Sequence, residues 1–182
     1  AIHFSKYIPN TLVTSNIKKI HKFFERYENI VIKPLDGMGG KSIFKITEFN
    51  NQDIDLINKM TNSGKTQIIC QKFIEEIFDG DHRILIIHGK PFHKTLARIP
   101  EQGSFKGNLA AGGTGVAKDI TDFQKTIGKE IGSILIKNGI SFAGIDIIGD
   151  YITEINITSP TCAREILDQT RTNPIEEYFK GL

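Results

Sequence analysis

Cysteine is nearly missing from this 182-residue chain: Cys70 and Cys162 stand far apart and form no CxxC pair. That argues against a disulfide framework or a cysteine zinc site, and it fits a reducing, cytoplasmic setting. No apolar run reaches the ~18 residues of a membrane span, and no signal-peptide pattern opens the chain. An excess of one charge is missing too. The 23 Lys and Arg against 21 Asp and Glu leave +2, so nothing argues for a nucleic-acid partner. Arginine is scarce, five residues against 18 lysines. Each Arg is therefore worth asking about, because its planar fork does what an ammonium cannot. What remains is ordinary globular material, 39% hydrophobic and 24% charged, which excludes disorder by composition. Residue 1 is Ala rather than Met, and no domain start precedes the first ordered-looking segment. That predicts a piece of a longer chain.

Periodicity gives a coarse map. Residues 14–28 read as an amphipathic helix capped by Thr14 or Ser15, with Ile17, Ile20, Phe23 and Phe24 on one face. Strands are expected at Ile30–Lys33, Ser42–Ile46 and Gln67–Ile74, with a helix over 53–62. Arg83–His88 and a second strand running through Arg98 form a hairpin about Gly89-Lys90. Residues 99–118, rich in Gly and Ala and without period, read as one long loop. A helix over Asp122–Asn138 turns Ile127, Ile131, Ile134 and Leu135 inward. Phe142–Ile148 and Ile152–Ile157 are strands, and Ser159-Pro160 opens a short helix. Short strands, hairpins and separate helices make the fold class α+β.

Four constellations carry chemistry. In IVIKPLDGMGGKSIF a lysine ends a strand and a glycine turn leads into another. Such backbone can approach phosphate oxygens, with Lys33 as the charge; the alternative is a plain hairpin turn. It is not a P-loop, since Leu35 stands where the first glycine belongs, nor a dinucleotide fingerprint, since Ser42 replaces the third. The second set is Asp146, Glu154 and Asn156, polar residues inside apolar strands. A three-residue connection, Gly149–Tyr151, would put all three on one face, where they suit Mg²⁺ shared with nucleotide phosphates. A two-residue loop would move Asp146 to the opposite face. The alternative is a solvent-facing polar stripe. The third set is Arg83, Arg98 and Arg164, suited to a substrate with several carboxylates, or else to surface ion pairs. The fourth is the loop Ile99–Gly115, whose GNLAAGGTG suits a lid over a reactive intermediate, with Asn108 as its contact, or an idle loop. Cys162 reads as a packing residue, with no His near it in sequence.

Taken together, KPLDGMGGKSIF, DGDHRILI, ARIPEQGSFKGNLAAGGTG and GIDIIGDYITEINITSPTCAREI resemble the C-terminal part of bacterial glutathione synthetase, an ATP-grasp ligase. The resemblance runs nearly end to end. It implies an ATP-grasp fold of two α+β subdomains gripping ATP between antiparallel sheets. These would be 1–72, with the phosphate loop, and 73–182, with the metal and substrate site and the lid 99–115. The family's preceding N-terminal α/β domain is not in this sequence. The implied reaction joins γ-glutamylcysteine to glycine through an acyl phosphate, with ATP and Mg²⁺ or Mn²⁺, in a full-length homo-oligomer and with neither nucleic acid nor membrane as partner. By matching motif, Lys33 with Gly37, Gly39 and Gly40 would hold ATP phosphates. Gln71, Lys72, Phe73 and Ile74 would read adenine, Asp81 the ribose, and Asn108 would reach in from the lid. Asp146, Glu154 and Asn156 match the metal ligands. Arg83 and Arg98 would meet the dipeptide and its acyl phosphate, while Asn156, Ser159, Thr161 and Arg164 would receive substrate carboxylates. Two departures stand out. A second basic phosphate contact would fall upstream of Ala1, and PIEEYFKGL is short for the family's last helix.

Overall fold

The structure, a computed structural model, describes residues 4–36 and 42–182. The chain divides into two units, Ala1–Glu75 and Glu76–Leu182.

In the first unit, β1 (Thr11–Thr14), β2 (Ile30–Pro34), β3 (Phe44–Ile46) and β4 (Ile68–Lys72) form an antiparallel sheet in the order β1-β4-β2-β3. Strand alternation explains its two faces. Ile30, Ile32, Ile68 and Cys70 are fully buried with Ile20 of α1 (Ile17–Tyr27) and Ile57 of α2 (Asn51–Met60). Lys33 and Gln71 take the opposite parity, with Lys33 beside Ile69 and Gln71 beside Val31. Helix α1 is capped not by Thr14 or Ser15 but by Asn16, whose side chain accepts from Lys18 and Lys19 N–H. Thr14 is instead the last residue of β1, and its hydroxyl accepts from Asn16 N–H. Helix α2 starts earlier than expected, because Asn50 and Asp53 make a reciprocal capping box.

The second unit holds β5 (Asp81–Ile87), β6 (Lys90–Ile99), β7 (Thr114–Asp119), β8 (Phe142–Ile148) and β9 (Tyr151–Asn156), antiparallel in the order β7-β6-β5-β8-β9. Two antiparallel sheets with separate helices confirm the α+β class. The β5–β6 turn is His88-Gly89, both at positive φ, rather than Gly89-Lys90. One face of the sheet carries α3 (Asp122–Lys137), with Ile127, Ile131 and Leu135 buried. On the other face, Leu85, Ile87 and Leu96 pack with Cys162 and with Ile166 of α4 (Ala163–Thr170). Tyr178 of α5 (Pro174–Lys180) completes that cluster, its ring stacked on His88.

Two expectations fail here. The long loop ends at residue 113, because 114–119 is β7. As an edge strand β7 is only partly buried, so it lacks the alternation that reveals a strand. The short helix expected to open at Ser159-Pro160 begins at Ala163. Cys162 sits before it in the left-handed region at φ 86°, which makes 157–161 a connector. No helix among the described residues is long and apolar enough to cross a membrane.

Candidate active site

The site residues of the second unit share one face by register. Asp81 lies opposite Arg98, and Arg83 lies opposite Asp146. A ladder irregularity in β5–β6 sets the first pairing. Ile86 faces Pro91, but Ile84 faces Thr95, a shift of two residues on β6 that slides Arg98 along to Asp81. A bulge sets the third pairing. The β8–β9 turn has two residues, Gly149 and Asp150, since Ile148 faces Tyr151. On count alone this would separate Asp146 from Glu154. Between Asp146 and Ile147 the ladder skips Thr153, so Asp146 does face Glu154, and Gly144 faces Asn156. The shared face agrees with the sequence expectation, but it is reached through a bulge rather than through a three-residue connection.

The side chains make a buried charge network. Arg83 grips Asp146 in two places, through Nε to Oδ1 and through Nη2 to Oδ2 at 2.8 Å. Arg98 Nη2 bridges Asp146 Oδ2 at 2.7 Å and Asp81 Oδ2 at 2.5 Å, while its Nε donates to the Asp81 carbonyl at 3.3 Å. All four residues are buried, Asp146 to 2% exposure. Charges taken this far from water persist only when paired and hydrogen-bonded. Gly144 makes room for the network. A Cβ there would lie 2.9 Å from both Arg83 Cδ and Pro160 Cβ, so the arginine stem runs flat across the glycine beneath the proline. The Arg83 guanidinium also reaches Thr161 Oγ1 at 3.4 Å.

Arg164 does not join this set. Its side chain is 90% exposed and lies 3.8 Å from Asp168 on its own helix. Ser159 and Thr161 are exposed, and the Ser159 N–H donates to Asn156 Oδ1 at 3.1 Å. Glu154 is exposed and Asn156 half-buried. Asn108 is half-buried, and its carbonyl accepts from Ala111 and Gly113 N–H within the loop. Cys162 is buried, its thiol pKa raised by that burial, which makes it the packing residue expected. In the first unit, Gln71 donates to Thr11 Oγ1 at 2.9 Å and Phe73 is buried with Lys45 Nζ over its ring. Lys72 is exposed and Ile74 half-buried. Gly37, Gly39 and Gly40 lie outside the described residues.

Burial, and then the Asp146 charge, push the Asp81 carboxyl up to about 7 against the pull of Arg98 and Arg83. The folded chain thus keeps a proton that the unfolded chain sheds near 3.8. The stability this lends is full below the unfolded value and is lost as pH rises through about 7. Urea midpoints should accordingly fall between pH 4 and 7 in the native protein relative to Asp81→Asn. Parallel profiles would refute the assignment.

Asp146, Glu154 and Asn156 offer hard oxygen donors alone. Among the described residues no three His, Cys, Asp or Glu side chains gather to hold a metal by themselves. Two carboxylates and an amide are a partial shell. That suits a cation such as Mg²⁺, which shares its coordination with substrate phosphates and water. The residues fit.

The prokaryotic glutathione synthetase ATP-grasp domain model matches residues 1–171. Glutathione synthetase of Nitrosomonas europaea is 47% identical over 93% of this chain and 53% of its own length. That of Buchnera aphidicola is 49% identical over 92% of this chain and 52% of its own. The chain therefore spans about half the length of these curated relatives. Among solved structures, the ATP-grasp ligase PsnB, complexed with a phosphomimetic variant of its minimal precursor, Mg and ADP, superposes at TM-score 0.67. It does so with 16% identity, over 96% of this chain and 52% of its own. D-alanine–D-alanine ligase from Bacillus anthracis gives TM-score 0.61 with 11% identity, over 96% of this chain and 61% of its own. These likenesses establish the ATP-grasp fold. On the family match and the identities together, the chain belongs to the prokaryotic glutathione synthetase ATP-grasp family.

Proposed function

We propose that this chain is the ATP-grasp portion of an ATP-dependent ligase that joins γ-glutamylcysteine to glycine. In this reading the small and large subdomains are the two units, which divide at Glu75–Glu76 rather than at the expected 72–73. The carrying observation is the buried Arg83–Asp146–Arg98–Asp81 network, with Glu154 and Asn156 beside it, in a chain of this family. Transfer of the ATP γ-phosphoryl group to the dipeptide carboxylate would form an acyl phosphate and release ADP. The glycine amine would then displace phosphate. Such chemistry asks for positioning and charge stabilisation rather than covalent help. A guanidinium fixed by buried carboxylates cannot swing away as charge develops, and this is the part we assign to Arg83 and Arg98.

Lys33, with Gly37, Gly39 and Gly40, would hold ATP phosphates, and Gln71–Ile74 would face adenine. Asp81 Oδ1 is buried without a hydrogen-bond partner among the described residues, an acceptor that a ribose hydroxyl would fill. Ser159, Thr161 and Arg164 would receive substrate carboxylates at the exposed rim. Residues 99–115, with Asn108, would cover the acyl phosphate, which water otherwise destroys. Asp146, Glu154 and Asn156 would hold Mg²⁺, or Mn²⁺ in its place, and the cation when bound would neutralise phosphate charge.

The test is phosphate release by the full-length protein carrying this chain, given ATP, Mg²⁺ and γ-glutamylcysteine, with and without glycine. Absence of glycine-dependent release would overturn the reading. Glu154→Gln should raise the Mg²⁺ concentration for half-maximal activity by about tenfold, since one ligand charge is lost. The exposed position of Glu154 should leave the melting temperature unchanged. An unaltered Mg²⁺ requirement would remove Glu154 from the metal set.

A further inference from the structure

β7 is an edge of its sheet, paired on one side with β6 and presenting backbone groups outward on the other. Such an edge ordinarily invites another strand. Here one side chain takes the outward groups. Gln169 of α4 accepts from Ala117 N–H through Oε1 at 2.8 Å and donates from Nε2 to the Gly115 carbonyl at 3.0 Å. A primary amide carries the donor and acceptor of a peptide group, so Gln169 extends the ladder as a strand one residue long.

The place of this contact gives it meaning. Gly115 is the second residue of β7, just past the loop, whose other stem, Ile99, ends β6. Midway along the loop, Gly107 rests on the site. A Cβ there would lie 2.5 Å from the Arg98 carbonyl oxygen and 3.1 Å from Asp81 Cβ. Leu109 packs into the cluster that holds Cys162 and Ile166. Just before α4, Thr161 meets Arg83. One helix of eight residues thus stands between the segment at Arg83 and the exit of the loop.

We propose that Gln169 is a positioning residue: its amide clips β7 to α4 and so sets how loop 99–115 comes down over the Asp81–Arg98 pair. The inference rests on reading that loop as the cover of an acyl phosphate. Gln169 touches no reacting atom. It acts through the loop, so its loss should appear as leakage of the intermediate to water.

The experiment compares Gln169→Ala, Gln169→Met and Gln169→Glu in the full-length protein. Methionine keeps the length without the hydrogen bonds, and glutamate keeps the acceptor for Ala117 but not the donor to Gly115. Gln169 is exposed, so these variants should fold, which circular dichroism would verify. With Ala and Met, exchange of the Ala117 amide should quicken by about tenfold or more while β5 amides stay protected. Phosphate released per peptide formed should rise above the native ratio, with Glu lying between. Unchanged exchange would overturn the clip. Faster exchange with an unchanged ratio would reduce Gln169 to a structural contact and overturn its positioning role. If the native protein formed no peptide bond, the ligase reading would fall. The clip would still be decided by Ala117 exchange and by protease cleavage within 99–115, which must quicken with Ala and Met if it exists.

Discussion

Replacing Asp146 by alanine is expected to destabilise the fold by ~3–5 kcal/mol, because two buried guanidiniums lose their common carboxylate. Asp146 receives Nε and Nη2 of Arg83 and Nη2 of Arg98 and is 2% exposed. Of the remaining groups, Asp81 reaches Arg98, but the contacts described for Arg83 then reduce to Thr161 at 3.4 Å. Asp146→Asn should fall between the two, since an amide keeps one acceptor but no charge. The measurement is the urea midpoint at constant m, read beside phosphate release. A midpoint within ~1 kcal/mol of the native protein would mean that the network is solvated and not the frame of the site.

Arg98→Lys should lower turnover by about a hundredfold or more, with ATP affinity nearly unchanged, because an ammonium cannot reproduce the fork. One Nη2 spans Asp81 and Asp146, and Nε fixes the plane through the Asp81 carbonyl. Lysine would meet one carboxylate and leave the other, and the flexible stem would blur any contact with the dipeptide. Equal losses in ATP binding and turnover, by titration calorimetry and by glycine-dependent phosphate release, would contradict the assignment of Arg98 to the dipeptide step.

Much of this architecture could be read along the chain, for identifiable reasons. Ile127, Ile131 and Leu135 recur with helical period on α3, and all three are buried. Asp146 and Glu154 could be singled out because carboxylates in FAGIDII and YITEINI violate the apolar pattern around them. Registers and ladder irregularities could not be read, since a bulge leaves no mark in composition. Nothing about Thr153 announces that the ladder passes over it, and nothing between Ile84 and Thr95 reveals the slide that brings Arg98 to Asp81. The edge strand β7 is hidden for a related reason, whereas the edge strands β3 and β9 are legible. TGVAKD packs on one side only, and its outer edge is finished by a glutamine 52 residues onward from Ala117. Arg164 is grouped with Arg83 and Arg98 by chemistry alone, but its helix starts at Ala163 and places it at the exposed rim, outside the buried network. The exchange within the arginine set was equally invisible. Arg83 and Arg98 are held first by the chain's own carboxylates, a choice made by side chains meeting across strands.

Thr153 separates two things that a hairpin ordinarily ties together. In a regular ladder the length of the turn dictates which side chains meet farther down, so any change at Gly149-Asp150 would be transmitted to Asp146. The skipped residue, its hydroxyl donating to the Asp146 carbonyl at 3.3 Å, absorbs that dependence immediately before the ladder resumes at Glu154. The hairpin can therefore be lengthened by one residue without losing the site, provided Thr153 is removed in compensation, because the count between Asp146 and Glu154 then stays the same. The two positions form a single hereditary unit, and insertions and deletions among relatives should come in matched pairs.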